Sequence, residues 1–227
     1  MRSFWRTLDG ALLRDIALVC LAVGVIGLSY GAIAVTSGFA WWFPVLMGAL
    51  VLAASSEFLF VGIIAAGGSP IAALLAGLLV NARHLPFGLA VPDVLGRGWR
   101  GLLGTHLMND ETVVFAIAQD EPERKRAAYW LCGLGILVCW PVGAALGALL
   151  GNVVQDTDAL GLDAMFPAVI LALIVPAMKE RTLPRTALAG AGLALAVTPL
   201  LPAGLPVLIA LAALPLFTVK AKEGAMR

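Results

Sequence analysis

Residues 71–92 read IAALLAGLLVNARHLPFGLAVP, an apolar run long enough to cross a bilayer that carries Asn81, Arg83 and His84 in its middle. A helical span needs about 20 apolar residues. An Arg at the bilayer centre costs about 2.5 to 3.5 kcal/mol on insertion scales, so such groups face a protein interior or a water-filled path. The stretch therefore implies a membrane protein with a polar route through it.

The rest of the chain agrees. Hydrophobic residues make up 61% of the 227, and a mean hydropathy of +0.97 requires several segments to be solvated by lipid. The net charge of +1 hides a segregation in which Lys and Arg gather in short connections, which excludes a nucleic-acid-binding face. Cys20, Cys132 and Cys139 lie inside apolar runs without metal-ligand spacing and read as small hydrophobes. No cofactor or metal set is expected. Arg2, Arg6 and Arg14 precede the run 16–36, which exceeds a signal-peptide core and reads as a retained first span.

Apolar length places spans at 16–36, 42–66, 70–92, 128–150 and 159–178, and a hairpin of two short spans at 186–219, broken by Pro199, Pro202 and Pro206. The segment 101–119 is ambiguous, because Thr105, His106, Asn109, Asp110, Glu111 and Thr112 crowd its centre. Loop charge weighs on it, since cytoplasmic connections collect Lys and Arg. If it crosses, 12 of the 15 Lys and Arg share the face of the N-terminus, leaving Arg97 and Arg100 opposite and Arg83 within the membrane. If it does not, Arg97, Arg100, Arg124, Lys125 and Arg126 fall opposite the N-terminus. The expectation is an all-α polytopic protein of about eight segments, seven full spans plus one interrupted or half-buried. Both termini are then cytoplasmic. The whole chain forms one transmembrane transport domain, and Phe43-Pro44 and Phe166-Pro167 hint at related halves 1–120 and 121–227.

Chemistry concentrates in three clusters. Ser55, Ser56 and Glu57 sit near the centre of the second span. The tight connection 67–69 makes the second and third spans antiparallel, and counting from it puts Glu57 and Arg83 within ~5 Å in depth, so a salt bridge is in reach. Asn81 and His84 share a helical face, and Pro86 predicts a kink over 82–88. In the third cluster His106, Asn109, Asp110 and Glu111 supply carboxylates suited to a substrate ammonium group or to Arg83 if the segment re-enters the membrane. Gly27 and Gly31, with Gly143, Gly147 and Gly151, form small faces that predict a packing seam within the protein or with a partner helix.

Several of these motifs resemble the large subunit of branched-chain amino acid exporters, the AzlC type. They are Ser55-Ser56-Glu57-Phe58, Val80-Asn81-Ala82-Arg83-His84-Leu85 with Gly88, Asn109-Asp110-Glu111-Thr112, and Leu162-Asp163 at the opening of a later span. The chain departs from the pattern at Glu57, where the family usually has Gln, at Phe87 in place of Tyr, and at Pro86. The resemblance implies efflux of valine, leucine, isoleucine and sometimes methionine, driven by the proton gradient or membrane potential. It also implies a small AzlD-type membrane subunit as partner.

The resulting expectation is a secondary active transporter, an inner-membrane antiporter, rather than an enzyme. Substrate would be bound by Asn81, Arg83, His84, Asp110 and Glu111 with Ser55 and Ser56, while Glu57, His106 and Asn109 serve coupling or gating. Arg83 would take the substrate carboxylate and Asp110 or Glu111 the ammonium. An intramembrane hydrolase is disfavoured, because the two His residues lack a Glu at metalloprotease spacing. The alternative is a non-transporting or channel-like subunit in which Glu57 and Arg83 form a structural pair.

Overall fold

The computed structural model describes residues 8–153, 183–201 and 205–210. Within them every regular element is a helix: α1 Gly10–Thr36, α2 Trp42–Leu50, α3 Ala54–Ala65, α4 Pro70–Asn81, α5 His84–Ala90, α6 Trp99–His106, α7 Asp110–Ile117, α8 Pro122–Val153, α9 Leu183–Val197 and α10 Leu205–Ala210. Gly10–Thr36, Pro70–Ala90 and Pro122–Gly151 are long and apolar enough to cross a membrane. The expected span 159–178 lies outside the described residues, as do 202–204 and 211–219 of the hairpin 186–219. The chain divides into two compact units, Met1–Glu57 with Asn81–Asp163, and Phe58–Val80 with Ala164–Arg227. In the second, Ile63 packs on Ala73 and Ala76 across the 67–69 turn, the antiparallel contact its short connection requires.

The first unit is organised by α1 and α8, and glycine explains how closely they approach. A Cβ on Gly27 would sit 2.9 Å from the Trp140 carbonyl oxygen, and one on Gly151 would sit 3.0 Å from that of Ala32. On Gly31, Gly143 or Gly147 it would collide with the backbone carbonyl of Ala144, Gly24 or Leu28. The predicted small faces thus meet each other, inside the protein. Cys20 lies against the Cys132 carbonyl at the near end and Ala32 against Gly151 at the far end, so the two helices run parallel. Their starts therefore share one membrane face and their ends the other.

Polar contacts mark the first face. Asp9 caps α1 by accepting from Leu12 N–H at 2.8 Å and pairs with Arg124. Lys125 reaches Asp93 at 3.0 Å, and Arg126 donates to the Asp93 carbonyl at 2.8 Å. Hydrogen bonding from Arg124, then from the Leu12 N–H, holds the Asp9 carboxyl below the usual carboxylate range. Desolvation pushes Asp93 upward, but Lys125, its own backbone N–H and the charges of Lys125 and Arg126 together leave it lowered.

These contacts overturn two expectations. Asp93 precedes α6 and Lys125 follows α7, yet they touch, so the segment 101–119 enters from this face and returns to it instead of crossing. Helices α6 and α7 have 8 residues each, about 12 Å, enough for half a bilayer. Their shared tip at Leu107 lies against Gly133, about 16 Å along α8 from Pro122. Tyr129 donates to the Gly104 carbonyl at 2.7 Å, and Val91, Val94, Met108, Val113, Ala116 and Tyr129 form one apolar cluster around the hairpin. The second correction is one of parity: α1 ends on the far face and the 91–98 loop lies on the near one, so 42–66 and 70–92 do not both cross. The charge argument failed because both of its alternatives took those two as full spans. With the re-entrant hairpin, Arg14, Arg97, Arg100, Arg124, Lys125 and Arg126 all lie at one face, a sharper segregation than either alternative gave.

Candidate functional site

Three helical runs, 42–65, 70–90 and 99–117, are broken, and every candidate residue lies at one of the breaks. The first interrupts the expected span 42–66 at 51–53. Buried Leu52 has φ +52°, the positive-φ region that costs a non-glycine residue on the order of 1–3 kcal/mol. In an unbroken helix the Ala53 N–H would donate to the Ala49 carbonyl. Here it donates to Glu57 Oε1 at 3.0 Å, and the Ala49 oxygen accepts from His106 Nε2 at 2.9 Å. One lost backbone bond is replaced by two side-chain bonds, from Glu57 and His106. Ser56 Oγ donates to the Ala53 carbonyl at 2.8 Å, which secures the start of α3, while Ser55 Oγ is buried without a partner.

Glu57 is 1% exposed. Trp140 Nε1 on α8 donates to both of its oxygens at 3.2 Å, and the Tyr30 hydroxyl on α1 faces it, with the Tyr30 and Trp140 rings stacked at 5.3 Å. The expected Glu57–Arg83 pair is not the one made. Depth counting assumed two continuous helices, whereas both are broken, and Arg83 turns to a carboxylate closer to its own break.

The second break falls at Ala82–Arg83. Pro86 has no N–H for the Ala82 carbonyl, which accepts instead from Leu85 N–H at 3.1 Å, so the kink predicted from Pro86 is realised as a tight turn. His84 Nδ1 bonds the Asn81 carbonyl at 2.8 Å; a carbonyl only accepts, so this nitrogen carries the proton. The bond joins the two half-helices, and Asn81 and His84 flank the break instead of sharing one helical face. Arg83 Nη2 lies 2.9 Å from Asp110 Oδ2, with side chains 29% and 41% exposed. Asn81 Oδ1 and Arg83 Nε are buried without partners, an acceptor and a donor left open two residues apart in the sequence.

The third break is the tip of the re-entrant hairpin. Asn109 Oδ1 accepts from Thr112 N–H and Thr112 Oγ1 accepts from Asn109 N–H, each at 2.9 Å, a capping box that starts α7. Asn109 is thereby committed to the cap. Asp110 and Glu111 occupy the first turn of α7, where the helix dipole favours carboxylates.

The three breaks are connected. His106 joins the end of α6 to the end of α2, and Arg83 joins the start of α5 to the start of α7. Reading the sequence missed Tyr30 and Trp140, whose positions give no polar signal beyond an aromatic with one hydrogen-bonding atom inside an apolar span. It also missed the Asp93–Lys125 contact, which depends on the hairpin's return. Irregular backbone at membrane depth is tolerated only where protein covers it or it lines a cavity. Broken helices whose free ends meet near the midplane build the ion and substrate sites of secondary transporters.

Comparison with known proteins points the same way. The profile of the family described as AzlC protein matches residues 18–154. The branched-chain amino acid transport protein AzlC of Bacillus subtilis is 28% identical over 174 residues, covering 75% of this chain and 68% of that protein. An uncharacterized membrane protein of Haemophilus influenzae is 28% identical over 176 residues, covering 75% and 71%. One of Helicobacter pylori is 23% identical over 185 residues, covering 80% of each. No solved structure matches the chain.

Proposed function

The chain belongs to the AzlC family, and from that premise we propose that it is a secondary active transporter exporting branched-chain or related aliphatic amino acids, the large subunit of a two-component permease with a small AzlD-type partner. It works as a single transport domain in the inner membrane, by antiport, with the Arg- and Lys-bearing face and both termini in the cytoplasm. The observation that carries this reading is the Arg83–Asp110 pair between two helix breaks.

An α-amino acid offers a carboxylate and an ammonium. Arg83, with Nε open, takes the carboxylate, and Asp110, with Glu111, takes the ammonium, so that the zwitterion inserts into the ion pair and replaces each partner's counter-charge. Asn81 Oδ1 and Ser55 Oγ supply further open positions, Ser56 and His84 hold the backbone around them, and Asn109 fixes the direction of α7. Apolar walls select the side chain by area, at roughly 1–3 kcal/mol per methylene, so Val, Leu and Ile are only modestly distinguished. A half-exposed pair is weak enough to open on each cycle.

The test is counterflow of labelled leucine in proteoliposomes, with and without the small subunit. Wild-type protein exchanges leucine, and Arg83→Gln and Asp110→Asn abolish exchange while still inserting. Leucine exchange indifferent to both substitutions refutes the site. Flux that is uncoupled and proceeds without exchange favours a channel-like subunit.

A further inference from the structure

Glu57 is a buried carboxylate that the substrate scheme leaves unused. Among the described residues it makes no ion pair, and the groups that reach it are the Ala53 N–H, the Trp140 N–H and the Tyr30 hydroxyl. This surrounding suits one protonation state in hydrogen bonding and the other in solvation. The donors complement an anion, which accepts at both oxygens, whereas burial at 1% exposure opposes the charge. A neutral acid turns one oxygen into a donor, facing groups that mostly donate already.

The carboxylate also holds open a specific piece of backbone. It takes the Ala53 N–H that would otherwise close the α2–α3 helix onto Ala49, while His106 takes the Ala49 oxygen and Leu52 bears the positive φ. Two arrangements of the same groups compete: broken, with Glu57 and His106 engaged, and continuous, with Ala53 bonded to Ala49. We propose that Glu57 is a proton-binding site that works this break as a hinge. A hydronium ion gives its proton to a lone pair of the carboxylate, so that one O–H bond breaks to leave water as another forms on Glu57, and the weakened acceptor releases the Ala53 N–H to the Ala49 carbonyl. His106 is freed in the same step, and with it the end of α6. Deprotonation to the opposite face reverses the change. The inference rests on the transporter reading only in making this proton the coupling ion.

Among the described residues the titratable groups facing Glu57 are few. Tyr30 comes from α1; α8 presents Trp140, which does not titrate; α2 has no ionisable residue; and His106 stands at the other end of the same break.

The experiment combines infrared difference spectroscopy over a pH titration with hydrogen exchange at the Ala53 amide, on the full chain in liposomes, alongside leucine counterflow. The wild type is expected to show a carboxylic-acid C=O band that grows as pH falls, with Ala53 protection changing over the same range. Glu57→Gln should remove the band, fix the Ala53 protection, and flatten the pH profile of leucine exchange by about tenfold or more across that range. Glu57→Asp keeps a carboxyl and should restore a displaced band, which guards against mere misfolding of the amide variant. A wild type without the band, or a band and pH profile that survive Glu57→Gln and disappear in His106→Gln, overturns the proposal. If the band and the Ala53 response are present but no leucine exchange occurs with the partner subunit, the hinge stands and the transport reading falls.

Discussion

Replacing Gly147 with Ala tests the framework from which the topology follows. The added Cβ would overlap the Leu28 carbonyl oxygen on α1, a rigid backbone atom that no rotamer change can move aside. The helices must part, and a radial gap of 0.5–1 Å forfeits about a quarter to a half of each contact along the seam. Overpacking of this kind costs about 1–3 kcal/mol. Against it stands a gain of about 1 kcal/mol from replacing a helical Gly with Ala. Gly62 in α3 isolates that gain, because a Cβ there meets nothing within 4 Å. Reversible unfolding by SDS in mixed micelles should therefore place Gly62→Ala at or above wild type and Gly147→Ala below Gly62→Ala by about 1–3 kcal/mol. Equal stability of the two variants would refute the parallel α1–α8 contact and with it the shared face of Asp9, Asp93 and Lys125.

A cysteine-free background with single cysteines at 97, 100 and 125 should be labelled by an impermeant thiol reagent from one face, and a cysteine at 38 from the other; labelling of 97 and 125 from opposite faces would restore a crossing 101–119. Reversing the ion pair by Arg83→Asp with Asp110→Arg should recover part of the leucine binding that either single change loses, measured by scintillation proximity, because the charges stay complementary; no recovery would mean the pair is not part of the site. Asp9 and Asp93 are held below their ordinary range when folded, so their contribution is present above about pH 4 and fades as pH falls through the depressed folded value. Asp9→Asn with Asp93→Asn should flatten the acid limb of a stability profile, and an unchanged limb would show that these contacts do not tie the near face.

Helix content and the chemistry-bearing residues were legible because membrane burial makes them conspicuous: Arg83 within an apolar run, Glu57 within another, Asp110 and Glu111 beside a capping residue. The small faces on α1 and α8 were legible for a similar reason, since repeated glycine spacing has few other uses in an apolar helix. What could not be read was which apolar stretch stops midway. Residues 42–66 have the length and hydropathy of a full span, yet Leu52 and Glu57 break it. Nothing in periodicity marks that point, because the freed backbone groups are satisfied by side chains, Glu57 four residues on and His106 from α6. The Glu57–Arg83 pairing failed for the same reason, whereas a carboxylate of the 109–112 cluster, the partner expected for Arg83 if that segment re-enters the membrane, is the one the structure shows.

The breaks repair one another, and His106 is where this is most exposed to test. It supplies the donor for the Ala49 carbonyl from the end of α6, within the hairpin whose tip bears Asp110. On the proposed reading, a substrate that separates Arg83 from Asp110 would loosen that tip, and the displacement would reach α2 through the His106–Ala49 hydrogen bond. His106→Leu removes the donor and leaves the carbonyl unpaired, costing about 1–3 kcal/mol. If the breaks act as one unit, this loss and that of Asp110→Asn will not add: a double-mutant cycle on leucine affinity should show a coupling of about 0.5–3 kcal/mol. Residues that belong to independent helix ends would add within about 0.3–0.5 kcal/mol. Additivity would leave Arg83–Asp110 as a local ion pair and remove the route by which substrate binding reaches the α2–α3 hinge.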